Sequence, residues 1–149
     1  MTAKATVNHE DDSLKIISLN QQAAKYISGN ADSGIYFGEL ALKVSLHAKQ
    51  YEHLNETHRI LGWCYFQQQN FKKAQLHLQS ALNDSALKTE DRNKIYEALI
   101  VASENNGDYQ HAYLYFKYIT HFKDSVNQQK QLNTLSELQT QLDVNAQLK

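Results

Sequence analysis

The chain of 149 residues contains no proline and only five glycines. Proline lacks a backbone donor and clashes with the preceding helical turn, so its absence from so long a chain favours one helix after another. The one cysteine cannot form an internal disulfide, which excludes a disulfide-stabilised scaffold. No apolar run approaches the roughly 18 residues that a membrane-spanning helix needs. The sequence therefore predicts an all-α protein, with a single domain over residues 1–149.

An excess of charge of either sign is also missing. Fifteen lysine and arginine residues stand against sixteen aspartate and glutamate residues, which leaves a formal net charge of −1. This balance offers no basic surface for nucleic acid, so partners of that class are not expected. Residues 1–12 are polar and lack the apolar stretch of a signal peptide. We expect a cytoplasmic protein if Met1 is the native start.

Two stretches of the sequence match each other at an offset of 38 positions. In each, an aromatic residue is followed by an alanine three positions later and by further apolar residues after steps of four and three. Such steps place the whole set on one face of a helix, and we expect its aromatic and large apolar members in the core, together with Tyr65. The two sets are Phe71, Ala74, Leu78 and Ala81, and Tyr109, Ala112, Phe116 and Ile119.

This pattern resembles the tetratricopeptide repeat (TPR), a helix-turn-helix unit of about 34 residues. The better-matching unit has His58 where tryptophan is usual and Ala86 where proline is usual, and the next unit has Ser103 in place of a tyrosine. Six signature positions hold residues typical of the family: Leu61, Gly62, Tyr65, Ala74, Leu78 and Ala81.

The resemblance implies a TPR-like right-handed superhelix of about three helical hairpins plus a C-terminal helix. The hairpins would cover residues 13–50, 52–86 and 90–122, and the last helix residues 125–147. The individual helices are predicted over 13–28, 32–49, 52–69, 71–83, 90–106 and 109–121. Gly34 and Gly38, one turn apart, and Gly62 are expected to let neighbouring helices approach closely.

In TPR arrays the first helix of each hairpin lines a concave face on which ligands bind. By family position, that face would carry Glu56, Arg59, Trp63, Phe66 and Gln67 from one unit, and Lys94, Glu97, Val101, Glu104 and Asn105 from the next. An apolar spot flanked by charges of both signs suits a peptide or a helix of another protein better than a phosphate-rich ligand. Trp63 could equally serve to pack adjacent units together.

TPR proteins that hold a chaperone's terminal carboxylate use lysine and asparagine for this purpose. Arg59 and Trp63 stand at two of those positions, so a basic residue is kept but the asparagine is not. We therefore do not expect that activity.

Motifs that carry catalysis or bind cofactors are scarce. The sequence has no phosphate-binding glycine loop and no nucleophile elbow. Cys64 is expected to pack as a small hydrophobic residue. The seven histidines include no i,i+4 pair and no cysteine–histidine cluster, so we expect them on the surface rather than around a metal ion. These observations favour a non-enzymatic protein without a cofactor or metal.

The segment from Ile95 to Leu142 is similar to the last TPR unit and exit helix of bacterial sensor proteins. In those proteins a TPR array precedes a histidine kinase, a diguanylate cyclase or a DNA-binding domain. The residues that carry the resemblance are Tyr96-Glu97-Ala98-Leu99, Gly107-Asp108-Tyr109, Ala112, Lys123-Asp124-Ser125 and the leucines Leu135, Leu138 and Leu142.

We therefore predict a non-enzymatic module that binds a protein or peptide segment, in bacterial signalling or regulation, without inserting into a membrane. One alternative is a sensor-input or dimerisation module excised from a larger signalling protein. It would form a homodimer through its C-terminal helix and could be periplasmic. Two further alternatives are a secretion chaperone of similar size and a small helical enzyme.

Overall fold

The computed structural model describes residues 9–148, and this part of the chain is all-α, which confirms the all-α part of the predicted fold class. The first five helices begin within four residues of their predicted starts. None of the helices within residues 9–148 combines the length and the apolar character that crossing a bilayer requires. The elements are α1 (His9–Lys25), α2 (Ala31–Ala48), α3 (Leu54–Gln67), α4 (Phe71–Ala81), α5 (Thr89–Asn105) and α6 (Tyr109–Gln147).

Each even-numbered helix follows a short turn and begins with a side-chain cap. Asn30, Asn70 and Asp108 precede α2, α4 and α6, and each side chain accepts a hydrogen bond from the backbone amide three residues later. Such caps satisfy amide groups that have no partner within the first helical turn. Because the turns are short, the helices pack mainly against their neighbours in sequence, with a smaller contact between α1 and α3.

The odd-numbered helices α1 and α3 run in the same direction. The hydroxyl of Ser13 lies 3.2 Å from Nε2 of His53, and the buried hydroxyl of Thr57 donates to Oδ1 of Asn20 over 3.0 Å. Asn20 follows Ser13 along α1, and its partner Thr57 likewise follows His53 at the start of α3, so the two helices are parallel. Between α4 and α6 the corresponding bonds are Gln75 to Asp108, 2.9 Å, and Gln79 to Tyr115, 2.6 Å.

Two glycines mark the places where helices approach most closely. A β-carbon on Gly38 of α2 would lie 2.7 Å from Cδ2 of Leu61, and one on Gly62 of α3 would lie 2.6 Å from Cδ2 of Leu78. Gly34 faces α3 with similarly little space. The predicted close approach at these three positions is confirmed, and it holds α3 tightly between α2 and α4.

The core runs along the stack of helices rather than around one centre. Leu61, Leu78 and Leu99 are completely buried, and Leu78 joins α4 to the apolar face of α5. Tyr65 is buried as predicted, whereas Phe71 is only half-buried.

The prediction that Tyr109 and Phe116 lie in the core is wrong. Their exposed fractions are 70% and 58%, and Tyr115 is buried instead. Phe116 is the counterpart of Leu78, which is buried because α5 packs over it. Within the described residues no helix packs in the same way over α6, so the same pattern of residues stays exposed there.

The predicted separate helix over 125–147 is also wrong, because α6 continues without a break through Lys123-Asp124-Ser125. This stretch contains neither proline nor glycine, and aspartate and serine lower helix propensity only slightly. The resulting helix has 39 residues, which corresponds to about 58 Å at 1.5 Å per residue. All residues from 120 to 148 are exposed. We call residues 120–148 the arm.

Candidate functional site

A shallow hollow of about 310 Å³ lies between α3 and α5. Five of the ten residues predicted for the concave face line it: Trp63, Phe66, Lys94, Glu97 and Val101. The sixth lining residue, Ala98, was missed by the sequence analysis, although its small side chain one turn before Val101 leaves the room for the hollow. We call this hollow and its walls the groove.

The floor of the groove is aromatic. The rings of Trp63 and Phe66 meet edge to face with centroids 6.0 Å apart, an arrangement that aromatic rings prefer. Both side chains are half-buried and pack against the core cluster that contains Leu78 and Ile95. Trp63 therefore packs α3 onto α5, as the alternative interpretation held, and still presents part of its ring to solvent.

The opposite wall of the groove is supplied by α5. Val101 has an exposed fraction of 40%, which is high for an apolar side chain beside two aromatic rings. Exposed Lys94 and Glu97 stand on the same wall. Lys94 contacts Glu90 over 3.1 Å, but both side chains are solvated, so this pair contributes little stability and leaves the ammonium group free to exchange partners.

Arg59 is already paired. Its guanidinium donates to both carboxylate oxygens of Glu56, with distances of 2.9 Å from Nε and 2.7 Å from an Nη atom. This bidentate hydrogen bond raises the pKa of Arg59, and the carboxylates of Asp91 and Asp84 raise it further. An arginine surrounded by three carboxylates is poorly placed to capture the terminal carboxylate of a peptide.

The remaining predicted residues lie around the groove rather than in it. Glu56 lines a second hollow of about 360 Å³ between α1 and α3, together with Asn20 and His53. Arg59 lies between the two hollows on α3, one turn from each. Gln67, Glu104 and Asn105 are exposed and line neither hollow.

A cluster of polar side chains around buried His77 and Tyr65 lies on the opposite side of α3 from the groove. The Nδ1 atoms of His58 and His77 are 2.8 Å apart, and His77 stacks on Tyr65 with ring centroids 5.5 Å apart. The hydroxyl of Tyr65 donates to Glu39 of α2 over 2.8 Å. His77 has only 7% of its surface exposed, so the prediction of surface histidines is wrong here. The burial of His77 could have been predicted from the sequence, because His77 follows Ala74 by three residues and therefore lies on the buried face of α4.

The two histidines of this cluster are uncharged near pH 7. Burial lowers the pKa of His77 to about 4, with help from the neighbouring His58, and burial also lowers the pKa of His58. Burial raises the pKa of the Cys64 thiol to about 11, so this side chain stays protonated and packs as a small apolar residue. In the described part of the chain, no three histidine, cysteine or acidic side chains gather as metal ligands would.

Comparison of the chain with protein-family models, with curated proteins and with solved structures finds no match. Its function must therefore be argued from the groove itself.

Proposed function

We propose that the chain is a TPR-like helical-repeat module that binds a segment of another protein in the groove between α3 and α5. The observation that carries the proposal is the hollow at Trp63, Phe66 and Val101, where apolar side chains stay accessible between two helices. The TPR-like arrangement is supported by the parallel course of α1 and α3, by the capped turns before α2, α4 and α6, and by the close approach at Gly62.

The charges around the groove favour one kind of partner. On α5, four acidic side chains stand against two basic ones, Arg92 and Lys94. Arg92 donates to the backbone carbonyls of Leu82 and Asp84, and Lys94 pairs with Glu90. On α3, Arg59 is neutralised by Glu56. The groove therefore has an apolar floor, and of the two charged side chains on its wall, Lys94 is paired with Glu90 whereas Glu97 forms no ion pair within the described residues. We infer that the partner segment carries a bulky apolar residue, which sits against Trp63 and Val101, next to a lysine or arginine that faces Glu97. Charge complementarity of this kind speeds association and sets the register of the bound segment.

A peptide selection tests the proposal. A random peptide library displayed on phage is selected against the immobilised protein, and the enriched peptides are then synthesised and titrated by calorimetry. We expect the enriched sequences to pair an apolar anchor with an adjacent basic residue. Selection without enrichment, or enrichment of acidic sequences, would contradict the proposal.

Two matched variants locate the binding site. Val101→Lys removes an exposed apolar side chain from the groove and adds a positive charge that repels a basic partner. The affinity for an enriched peptide should therefore fall about tenfold or more. Leu76→Lys makes the same kind of change at an exposed apolar residue of α4, outside the groove, and should alter affinity less than about twofold. Equal affinity for both variants would place the binding site elsewhere.

The alternative of a dimerisation module is favoured by a different observation. The apolar side chains of the arm are not buried against any other described part of the chain, since every residue from 120 to 148 is exposed.

A further inference from the structure

One face of α6 carries apolar side chains that nothing in the described chain covers. Tyr109, Tyr113 and Phe116 are all more than half exposed, on the side of α6 that corresponds to the α5-facing side of α4. Leu135, Leu138 and Leu142 are equally exposed further along the same helix. Exposed apolar surface of this extent, on a helix, marks an interaction site.

These six residues belong to one stripe with an 11-residue period. Steps of four, three and four residues repeat three times along α6, and a period of about 3.67 residues per turn keeps all these positions on one face of a nearly straight helix. The stripe is apolar at both ends and polar in its middle. Its members are Tyr109, Tyr113, Phe116, Thr120, Asp124, Asn127, Gln131, Leu135, Leu138 and Leu142.

We propose that two copies of this chain pair through α6, in antiparallel orientation, about a two-fold axis that passes between Ser125 and Val126. In this register the aromatic end of each stripe meets the leucine end of the other: Tyr109 faces Leu142, Tyr113 faces Leu138, and Phe116 faces Leu135. The spacing of four then three along the aromatic end is the reverse of the three then four along the leucine end. The two sets therefore match only when the helices run in opposite directions.

The polar middle of the stripe supports the same register. About the same axis, Asp124 faces Asn127 and Thr120 faces Gln131, so a carboxylate meets an amide that can donate to it. In a parallel pair, Asp124 of one copy would face Asp124 of the other, and like charges opposite each other destabilise a helix pair. The arm carries two lysines and three acidic residues, so two arms repel each other only weakly.

The way successive helices pack in this fold also favours antiparallel pairing. Gly34 and Gly38 of α2 face Cys64 and Leu61 of α3, so residue numbers run in opposite directions across this contact. α3 thus packs antiparallel onto α2, the helix before it. An antiparallel arm from a second copy would take, on α6, the place that the next helix of such a series would occupy.

The surface involved is of the size that a stable dimer needs. Three aromatic and three leucine side chains, each more than half exposed, amount to on the order of 800 Å² per copy, which is the standard size of a specific interface. Pairing would also give the arm tertiary contacts. Without them, a helix rich in glutamine, asparagine and serine is only marginally stable in water. The stripe lies outside the groove, so this inference does not depend on the proposed peptide binding.

Two matched variants test which face of the arm pairs. Leu138 and Val144 are both 51% exposed, but Leu138 lies on the stripe and Val144 lies on the opposite side of the helix. Sedimentation equilibrium over a range of concentrations should give a dimer for the wild type and for Val144→Glu, and at least a tenfold weaker dimer for Leu138→Glu. Circular dichroism verifies that each variant stays helical. A wild-type monomer at all concentrations, or equal dimerisation of both variants, would overturn the proposal.

A distance measurement tests the orientation. A spin label on Gln141→Cys, which lies off the stripe, should be about 48 Å from its counterpart in an antiparallel dimer, given a rise of 1.5 Å per residue and helices about 10 Å apart. Cys64 is buried and stays unlabelled. A distance below about 20 Å would indicate parallel helices and would overturn the proposed register.

Discussion

Adding one methyl group at Gly62 is the sharpest test of how closely α3 and α4 pack. The β-carbon of an alanine there would lie 2.6 Å from Cδ2, 2.7 Å from Cγ and 3.1 Å from the backbone nitrogen of Leu78. Leu78 is completely buried and packs against α5, so its side chain has little room to move away. The helices must therefore separate or Leu78 must leave its preferred rotamer.

Two effects of opposite sign determine the outcome for Gly62→Ala. In an exposed helix, replacing glycine by alanine stabilises by about 1 kcal/mol. Inserting a methyl group into a packed core costs about 1–3 kcal/mol, and the close backbone contact at Gly62 puts this site in the upper part of that range. We expect a net loss of about 1–2 kcal/mol in the free energy of unfolding, or a fall in Tm of about 3–6 °C for a chain of this size.

Urea denaturation followed by circular dichroism measures this change, with Gly29→Ala as the matched control. A β-carbon at Gly29 would have no neighbour within 4 Å, so we expect this variant to match the wild type or slightly exceed it. If Gly62→Ala were as stable as Gly29→Ala, the close packing of α3 on α4 would be refuted.

Two further predictions concern polar residues of α4: buried His77 and the cap residue Asn70. Because burial lowers the pKa of His77 to about 4 in the folded state, the unfolded chain binds more protons between pH 4 and about 6.5. The free energy of unfolding should therefore fall by about 3 kcal/mol as the pH drops through this window. Urea denaturation at several pH values measures this fall, and His77→Gln should reduce it; an equal fall in both proteins would contradict the burial argument. At the start of α4, Asn70→Ala removes the acceptor for the amide of Lys73 and should cost about 1 kcal/mol, whereas Asn70→Asp should keep most of the stability in the same assay.

The helices could be predicted from the sequence because their signals are local. Apolar steps of three and four define α4, and Asn70 and Asp108 are residues that begin helices. The exposure of Phe116 could not be predicted in this way, because the spacing that buries Leu78 is the same. Whether such a face is covered depends on a following helix, which the periodicity of the helix itself does not reveal.

The groove residues were predicted from their positions in the TPR pattern. The pairing of Arg59 and the contact between the two histidines could not be predicted in this way, because they depend on three-dimensional contacts. Glu56 and Arg59 stand three residues apart, a spacing that allows an ion pair, but the additional carboxylates of Asp84 and Asp91 come from outside α3. His58 and His77 are 19 residues apart and meet only because α3 crosses α4 closely at Gly62.

The fluorescence of Trp63 tests the central claim most directly, because Trp63 is the only tryptophan of the chain and forms part of the groove floor. When a selected peptide without tryptophan is titrated into the protein, an apolar anchor seated on the indole should shift the emission to shorter wavelength. The shift should saturate with the dissociation constant that calorimetry gives. Binding detected by calorimetry with unchanged Trp63 emission would show that the peptide binds away from the groove.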